Sequence, residues 1–301
     1  MDDRPYLSMA LLAYNERDSI ESAAHRSSHA LARCGRSYEL ILVDDGSTDG
    51  TGRVMDRLAA ELPSCRVIHH SSHLGLGSGI RTAYFSGRGE WATWFPADLQ
   101  ADPADLSNLV ERLEQCDVLV TYRQALQRHA SLARKVISLL DRVLVRFLFG
   151  LQLRDLHWVR FFRRPLLEQM FLKSASPSID TEMMIEARRL GARILELPLA
   201  DHPRKAGKAK GARWANILTS MSDLLVLWCR DRFMRVPEWS PRVKQHAMDA
   251  TEERGPRSGV EARDGACVNR RGDGDHSVLS VAACRATAKV VVPRDRAAQG
   301  V

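Results

Sequence analysis

Between residues 7 and 121, short apolar runs alternate with stretches whose apolar positions recur every three or four residues. Leu7 to Ala13 is a largely apolar run closed by Tyr14-Asn15-Glu16, and it reads as a buried strand. A helical pattern follows from about Asp18 to Cys34. Glu39 to Val43 is a second strand, ending abruptly in Asp44-Asp45-Gly46-Ser47-Thr48-Asp49-Gly50. The pattern then predicts a helix over Val54 to Leu62, a strand over Arg66 to His70 and a helix opened by Gly75 to Gly79 and running to about Ser86. It continues with a strand over Trp91 to Phe95, a helix over Pro103 to Gln115 and a strand over Val118 to Thr121. Later come a strand-like Asp155 to Phe162, a helix from Thr181 to Leu190 and a strand from Arg193 to Leu197.

Alternation of this kind, with strands apolar on both faces, predicts an α/β fold: a Rossmann-like, mostly parallel sheet covered by helices on both faces. Crossovers are then right-handed by default, and ligands bind outside the carboxyl ends of the strands. Tyr14-Asn15-Glu16, Asp44-Asp45 and Asp98-Gln100 all fall at such ends, so they converge on one crevice.

Two stretches have a different character. In Arg128 to Phe149, at 100° per residue, Leu132, Val136, Leu139, Leu140, Val143, Leu144 and Phe147 occupy one arc. Arg128, Arg134, Lys135, Arg142 and Arg146 occupy the next. Such a helix packs on the protein's own core or lies in a membrane interface with its arginines on lipid phosphates. The pattern alone leaves both open. A second stripe over Arg213 to Arg230 carries Trp214, Ile217, Leu218, Met221, Leu224, Leu225 and Trp228. There is no uninterrupted apolar run of about 18 residues, so no spanning helix is expected. After about Pro237 periodicity weakens, and residues 236–301 are expected to be disordered or poorly packed. The working division is a domain over 1–235, with amphipathic helices at 128–150 and 213–233, and that tail.

A hydrophobic fraction of 45% in 301 residues supports a sizeable core, in one large domain or two small ones. The formal charge of +7 suggests an anionic partner, whether nucleotide, lipid headgroup or nucleic acid. Six cysteines at 34, 65, 116, 229, 267 and 284 form no metal spacing and read as reduced thiols of a cytoplasmic protein. The start, Met-Asp-Asp-Arg-Pro, does not read as a signal peptide.

The sharpest candidate for chemistry is the stretch Trp94 to Pro103. In extended backbone, residues two apart share a side. Asp98 and Gln100 would then offer two oxygens to one Mg²⁺ or Mn²⁺ while a diphosphate supplies the remaining ligands. Asp102-Pro103 reads as an N-cap followed by proline at N1, and the plainer reading of the same ten residues is a strand, a polar turn and an ordinarily capped helix. His69-His70-Ser-Ser-His73 is explained more simply by a strand end and turn than by a metal site. Gly75-Leu-Gly77-Ser-Gly79 offers a dinucleotide loop only weakly, since Ile80 stands at the sixth position and the run opens the third unit.

Five motifs in order carry a resemblance. Ala13-Tyr14-Asn15-Glu16 is similar to a P-x-Y-N-E opening, and Val43 to Thr51 matches V-D-D-G-S-x-D-G-T. His73-Leu-Gly75-Leu-Gly77 is similar to N-x-G-x-G, and Ala97-Asp98-Leu99-Gln100 with Pro103 resembles D-A-D-L-Q-x-x-P. Glu196-Leu-Pro198, His202, Arg204, Gly207, Lys208 and Lys210 resemble the closing E-x-P…H-x-x-R-x-x-G-x-S-K. Over roughly residues 7–233 the chain resembles the family 2 glycosyltransferases of GT-A fold, and within them the polyprenyl-phosphate (dolichol-phosphate) sugar synthases.

The resemblance implies an inverting, metal-dependent transfer of a hexose from a UDP- or GDP-sugar to a polyprenyl phosphate lipid, peripheral on the inner membrane face and without nucleic acid. It leaves room for a homo-oligomer. It implies Tyr14, Glu16, Asp44, Asp45 and Gly77 for the nucleotide sugar, with Arg204, Lys208 and Lys210 on a phosphate-facing loop. Asp98 and Gln100 would hold Mg²⁺ or Mn²⁺. Asp155, ahead of Arg160-Phe161, and Glu182 are the candidate catalytic residues, with Asp180 as a rival. Three positions depart from the pattern: Pro96 replaces the first acid of the metal segment, Ala209 a serine and Val159 a glycine. These departures keep two alternatives in view, a soluble or cell-envelope acceptor and a non-catalytic relative.

Overall fold

Every residue of strand β1 (Leu7–Ala13) is buried, because the strand has sheet neighbours on both edges and helices on both faces. It lies inside an eight-stranded sheet of order β3-β2-β1-β4-β6-β5-β7-β8. The other strands are β2 (Tyr38–Asp44), β3 (Cys65–His69), β4 (Trp91–Pro96), β5 (Val118–Arg123), β6 (Arg160–Arg163), β7 (Ile194–Leu199) and β8 (Lys289–Val291). The structure is a computed structural model that describes residues 4–123, 132–172, 174, 176, 178–202, 222–229 and 289–291.

β3, β2, β1 and β4 run parallel, as do β5 and β7; β6 is antiparallel to both its neighbours and β8 to β7. The expected mostly parallel α/β sheet is present. Alternate residues of each strand feed two cores, one on each face. Met9, Leu11, Leu40 and Leu42 pack with Ile20, Leu31 and Met55, whereas Ala10, Ile41 and Val43 pack with Ile80, Tyr84 and Met183. The helices follow from these two layers. α1 (Arg17–Arg33) and α2 (Thr51–Glu61) cover the first face. α3 (Leu76–Phe85) lies over β1 and β4 on the second.

Some expected elements differ. The helix expected over Pro103 to Gln115 is instead a 3₁₀ turn (Pro103–Asp105), a short helix α4 (Leu106–Val110) and a second 3₁₀ turn (Leu113–Gln115). Arg112 and Cys116 bond back to Leu109 and Leu113, three residues earlier, so the helix tightens and stops. The strand expected from Asp155 starts only at Arg160, because the Asp155 carboxylate accepts the His157 N–H at 3.1 Å and turns the chain.

α5 (Leu132–Phe149), α6 (Arg164–Gln169) and α7 (Ile179–Arg189) complete the main body, and residues 222–229 form α8. On α5, Val145 is fully buried while Leu139, Leu140, Val143 and Phe147 are exposed. On α8 the buried positions are Leu224 and Leu227, so Leu225 of the expected stripe faces outward. No helix among the described residues is long and apolar enough to cross a membrane. Of the tail, Lys289–Val291 pair with Ile194, Leu195 and Glu196 of β7; the rest of 236–301 lies outside the described residues.

Candidate active site

Strand register gathers the candidate residues. Ala13 of β1 stands beside Asp44 of β2, and Leu12 stands beside Pro96 of β4. The ladder runs one step further on both sides: Asp45 N–H donates to Ala13 O at 3.0 Å and Ala97 N–H to Leu12 O at 3.3 Å. Tyr14, Asp45 and Asp98 therefore leave the sheet together at its carboxyl edge, where an open α/β sheet binds ligands.

The exits of β1 and β2 are zipped to each other. Asn15, at φ 52°, accepts the Thr48 N–H at 2.9 Å, while its own N–H reaches Ser47 Oγ at 3.0 Å. Glu16 N–H donates to Thr51 Oγ1 and Arg17 N–H to Asp49 Oδ2. This explains the polar run from Asp44 to Thr51: its short side chains close backbone bonds that the strands can no longer supply.

Asp44 and Asp45 have different partners. Asp44 accepts Ser47 N–H at 2.9 Å and pairs with His69 Nδ1 at 2.9 Å, while His69 Nε2 reaches Asp56 at 2.9 Å. Burial pushes the Asp44 carboxyl up, but the His69 and Ser47 hydrogen bonds outweigh it and hold it below the usual carboxylate range. The bond to Asp44, with Asp56 adding to it against burial, raises the His69 imidazole to about 9. Asp45 is encircled: His70 Nδ1 at 2.7 Å, His73 Nδ1 at 2.7 Å, Leu74 N–H at 3.0 Å and Gly75 N–H at 3.0 Å. The three histidines of the 69–73 run are thus carboxylate partners, while Asp45 holds the glycine-rich loop through the Leu74 and Gly75 N–H groups. The loop glycine is Gly75 (φ 88°), whereas Gly77 is buried in the first turn of α3.

Asp98 is 5% exposed and accepts the Gln100 N–H at 3.0 Å. Leu99 between them sits at φ 58°. The segment is therefore a tight turn, and the same-side argument for an extended strand does not apply to it. Gln100 O accepts the His202 N–H at 2.9 Å, and Ala101 bridges Asp201, so these two residues lie beside the metal candidates. The His202 imidazole lies 3.8 Å from Asp102, which also pairs with Arg26. No group of three or more His, Cys, Asp or Glu side chains among the described residues is placed to hold a metal by itself.

Between β4 and β5 a second cluster reaches the same edge. Asp155 is buried and held by Arg123 through Nε at 2.7 Å and Nη2 at 3.0 Å. Burial works against its charged form, but the bonds to Arg123 and the charge of that guanidinium hold the carboxyl below its ordinary range. Arg123 also stacks over Trp158 at 4.8 Å. Glu196, from the Glu-Leu-Pro motif, accepts the Arg154 N–H at 2.8 Å and so fixes the turn that presents Asp155. Half-exposed His157 lies 3.9 Å from Asp180, which pairs with the fully buried Arg160 at 3.0 Å. Glu182, 1% exposed, accepts the Ser174 N–H at 2.8 Å inside the first turn of α7.

Tyr14, Glu16, Asp44, Asp45, Asp98 and Gln100 thus share one edge, with Asp155 farther along it. Arg204, Lys208 and Lys210 lie outside the described residues. Arg123, His70 and His73, none of them expected at the site from the sequence, are partners of its carboxylates. The signal for the histidines was their position at the end of a strand adjoining Asp44-Asp45. A cavity of about 930 Å³ opens at the opposite edge of the sheet, among Pro5, Arg36, Arg88, Arg163 and Gln169, and it contains none of these candidates.

Comparison with known proteins agrees with this geometry. Residues 8–171 match the family described as "Glycosyl transferase family 2". The chain is 32% identical over 232 residues to "Glycosyltransferase AglD" of Haloferax volcanii, covering 74% of this chain and 37% of that protein. It is 30% identical over 223 residues to the undecaprenyl-phosphate 4-deoxy-4-formamido-L-arabinose transferase of Klebsiella pneumoniae, covering 73% of this chain and 66% of that one. The chain therefore spans between about a third and two thirds of the length of these curated relatives. In fold it resembles glucosyl-3-phosphoglycerate synthase from Mycobacterium tuberculosis, solved with Mn²⁺, UDP and phosphoglyceric acid. That match has a TM-score of 0.57 at 20% identity and covers 78% of this chain and 80% of that one.

Proposed function

This chain belongs to glycosyl transferase family 2, and from that premise we propose that it moves a hexose from a nucleotide sugar to a polyprenyl phosphate at a membrane surface. The observation that carries the reading is the joint exit of β1, β2 and β4, which sets Tyr14, Asp45 and Asp98 side by side at the carboxyl edge of parallel strands.

The residues at that edge suit a nucleoside diphosphate. Tyr14 and the loop around Asp45 offer a flat ring and polar backbone to a base and ribose. Asp98 and Gln100 present oxygen donors suited to Mg²⁺ or Mn²⁺, and His202 lies alongside them. Because three side-chain ligands are not grouped among the described residues, such an ion would draw its remaining ligands from the diphosphate. When bound, it would stabilise the charge that builds on the leaving diphosphate. Arg204, Lys208 and Lys210 follow Asp201-His202 in the chain and would add positive charge to the same group.

The acceptor in this reading is a phosphate monoester, ionised near neutral pH, so it requires little general-base help. Asp155, with both carboxylate oxygens engaged by Arg123 and His157, then positions and orients groups at the acceptor end. Glu182, the second candidate, accepts the Ser174 N–H and would act by holding the segment ahead of α7. The exposed apolar face of α5 supports a lipid acceptor over a soluble one, with the protein peripheral on the inner leaflet. The Klebsiella relative, whose name specifies undecaprenyl phosphate, points the same way.

The test is transfer of labelled hexose from UDP- and GDP-sugars to undecaprenyl phosphate by purified protein, with and without EDTA. The wild type should transfer in Mn²⁺ or Mg²⁺, and Asp98→Asn should lose roughly a hundredfold to a thousandfold in rate. Transfer at full rate in EDTA would remove the metal assignment. Transfer to a water-soluble acceptor alone would remove the lipid.

A further inference from the structure

The rings of Tyr14 and His73 lie flat on one another, with centroids 3.8 Å apart and planes 15° apart. Aromatic pairs ordinarily settle into offset or edge-to-face arrangements with centroids 4.5–7 Å apart, so a separation this short means nearly full face overlap. One face of Tyr14 is consequently covered by an imidazole at the spacing and angle a flat heterocycle would adopt. This happens at the carboxyl edge of β1, where the donor reading places the nucleobase.

The backbone beneath His73 has little freedom. Asp45 accepts the N–H groups of Leu74 and Gly75 at 3.0 Å each. Gly46, at φ 71°, lies so close that a Cβ there would meet the carbonyl carbon of Ser72 at 2.3 Å and the His73 nitrogen at 2.5 Å. The His73 side chain, by contrast, is 47% exposed and is held by its contact with Asp45 at 2.7 Å and by the stack. The imidazole can leave Tyr14 by rotating its side chain alone, while the loop stays in place.

We propose that His73 is a self-ligand of the nucleobase subsite. Its imidazole occupies the face of Tyr14 that the base of the donor takes, and donor binding requires the imidazole to swing out. The proposal rests on the nucleotide-sugar reading and adds a gate to that site. Displacing one stacked ring and its polar contact weakens donor binding by on the order of threefold to tenfold. It does so without touching the groups that face the diphosphate.

Affinities of UDP, GDP and dTDP in Mn²⁺, and of inorganic pyrophosphate in Mn²⁺, test this by titration calorimetry on wild type, His73→Ala and His73→Phe. With the gate removed, His73→Ala should bind a nucleoside diphosphate about threefold to tenfold more tightly and pyrophosphate no differently. His73→Phe keeps a flat ring over Tyr14 and should show no such gain. Unchanged nucleotide binding by His73→Ala would overturn the gate, and weaker binding would overturn it and make His73 part of the platform. Equal tightening of pyrophosphate would overturn it too, since the effect would then lie at the phosphates. If the wild type and His73→Ala bind none of the three nucleotides, the donor reading itself fails.

Discussion

Arg123 clamps the two carboxylate oxygens of Asp155 through two nitrogens, Nε at 2.7 Å and Nη2 at 3.0 Å, in the turn that precedes β6. The pair joins the last residue of β5 to the segment carrying the candidate acceptor-side carboxylate. Removing the guanidinium leaves a buried carboxylate without its counter-charge, which costs about 3–5 kcal/mol. Arg123→Met should therefore lower the unfolding free energy measured in urea by about that much. Asp155→Asn, which keeps the shape and loses the charge, should cost less and reveal in its transfer rate what Asp155 does beyond holding the turn.

The Asp44–His69–Asp56 chain makes stability depend on pH in a defined direction. His69 is raised to about 9, so its contribution is fully present below the ordinary imidazole value, near pH 6.5, and is lost as pH rises through about 9. Asp44 is lowered, so its share is present above the ordinary carboxylate range and disappears as the pH falls through its folded value. Unfolding free energies measured by urea across this range should fall on the alkaline side in the wild type. His69→Gln should flatten that alkaline limb, and an unchanged limb would assign it to other groups. Because the His69 side chain is 40% exposed, solvent screening keeps the effect modest.

Gly46 and Gly35 both have positive φ, at 71° and 63°, yet they should respond differently to alanine. A Cβ at Gly35 meets nothing within 4 Å, so Gly35→Ala pays only for the left-handed backbone, about 1–2 kcal/mol. At Gly46 the Cβ runs into the Ser72–His73 backbone, and the loop held by Asp45 must move. Gly46→Ala should cost more than the Gly35 variant in chemical unfolding, and it alone should weaken nucleotide binding.

How much of this was legible follows from which interactions are local. Strands β1, β2 and β4 were readable because buried parallel strands write themselves as largely apolar runs, while β3, a half-buried edge strand, was readable from its place in the alternation. The meeting of Tyr14, Asp44 and Asp98 at one edge followed from the carboxyl-edge rule. The clasp of His70 and His73 on Asp45 was missed, because it joins residues 25 and more apart and shows only once β3 is set beside β2. A polar turn after β4 was one of two readings of that stretch, but its left-handed Leu99 was not legible, since a left-handed leucine has no sequence signal and is held by the Asp98–Gln100 bond. The helix α5 was located, but the pattern could not assign its faces. The burial of Val145 and the exposure of Phe147 decide that.

That exposed face supplies the last prediction. Leu139 (53%), Leu140 (60%), Val143 (55%) and Phe147 (85%) lie at i, i+1, i+4 and i+8 on α5, on one side of the helix, with Arg142 and Arg146 in the same stretch. Burying an exposed leucine or phenylalanine in an interface contributes about 1.5–3 kcal/mol, and nearby arginines add attraction to anionic headgroups that salt weakens. The protein should therefore float with vesicles containing anionic lipid and be partly released as salt rises. Leu140→Glu with Phe147→Glu should reduce partitioning by roughly a hundredfold or more. Both side chains face solvent in the folded protein, so its thermal midpoint should stay nearly constant. Undiminished flotation of the double variant would place the contact elsewhere. Lost flotation with full transfer to a detergent-solubilised polyprenyl phosphate would separate docking from chemistry, the division expected if α5 brings the site to the lipid and Asp98 carries the reaction.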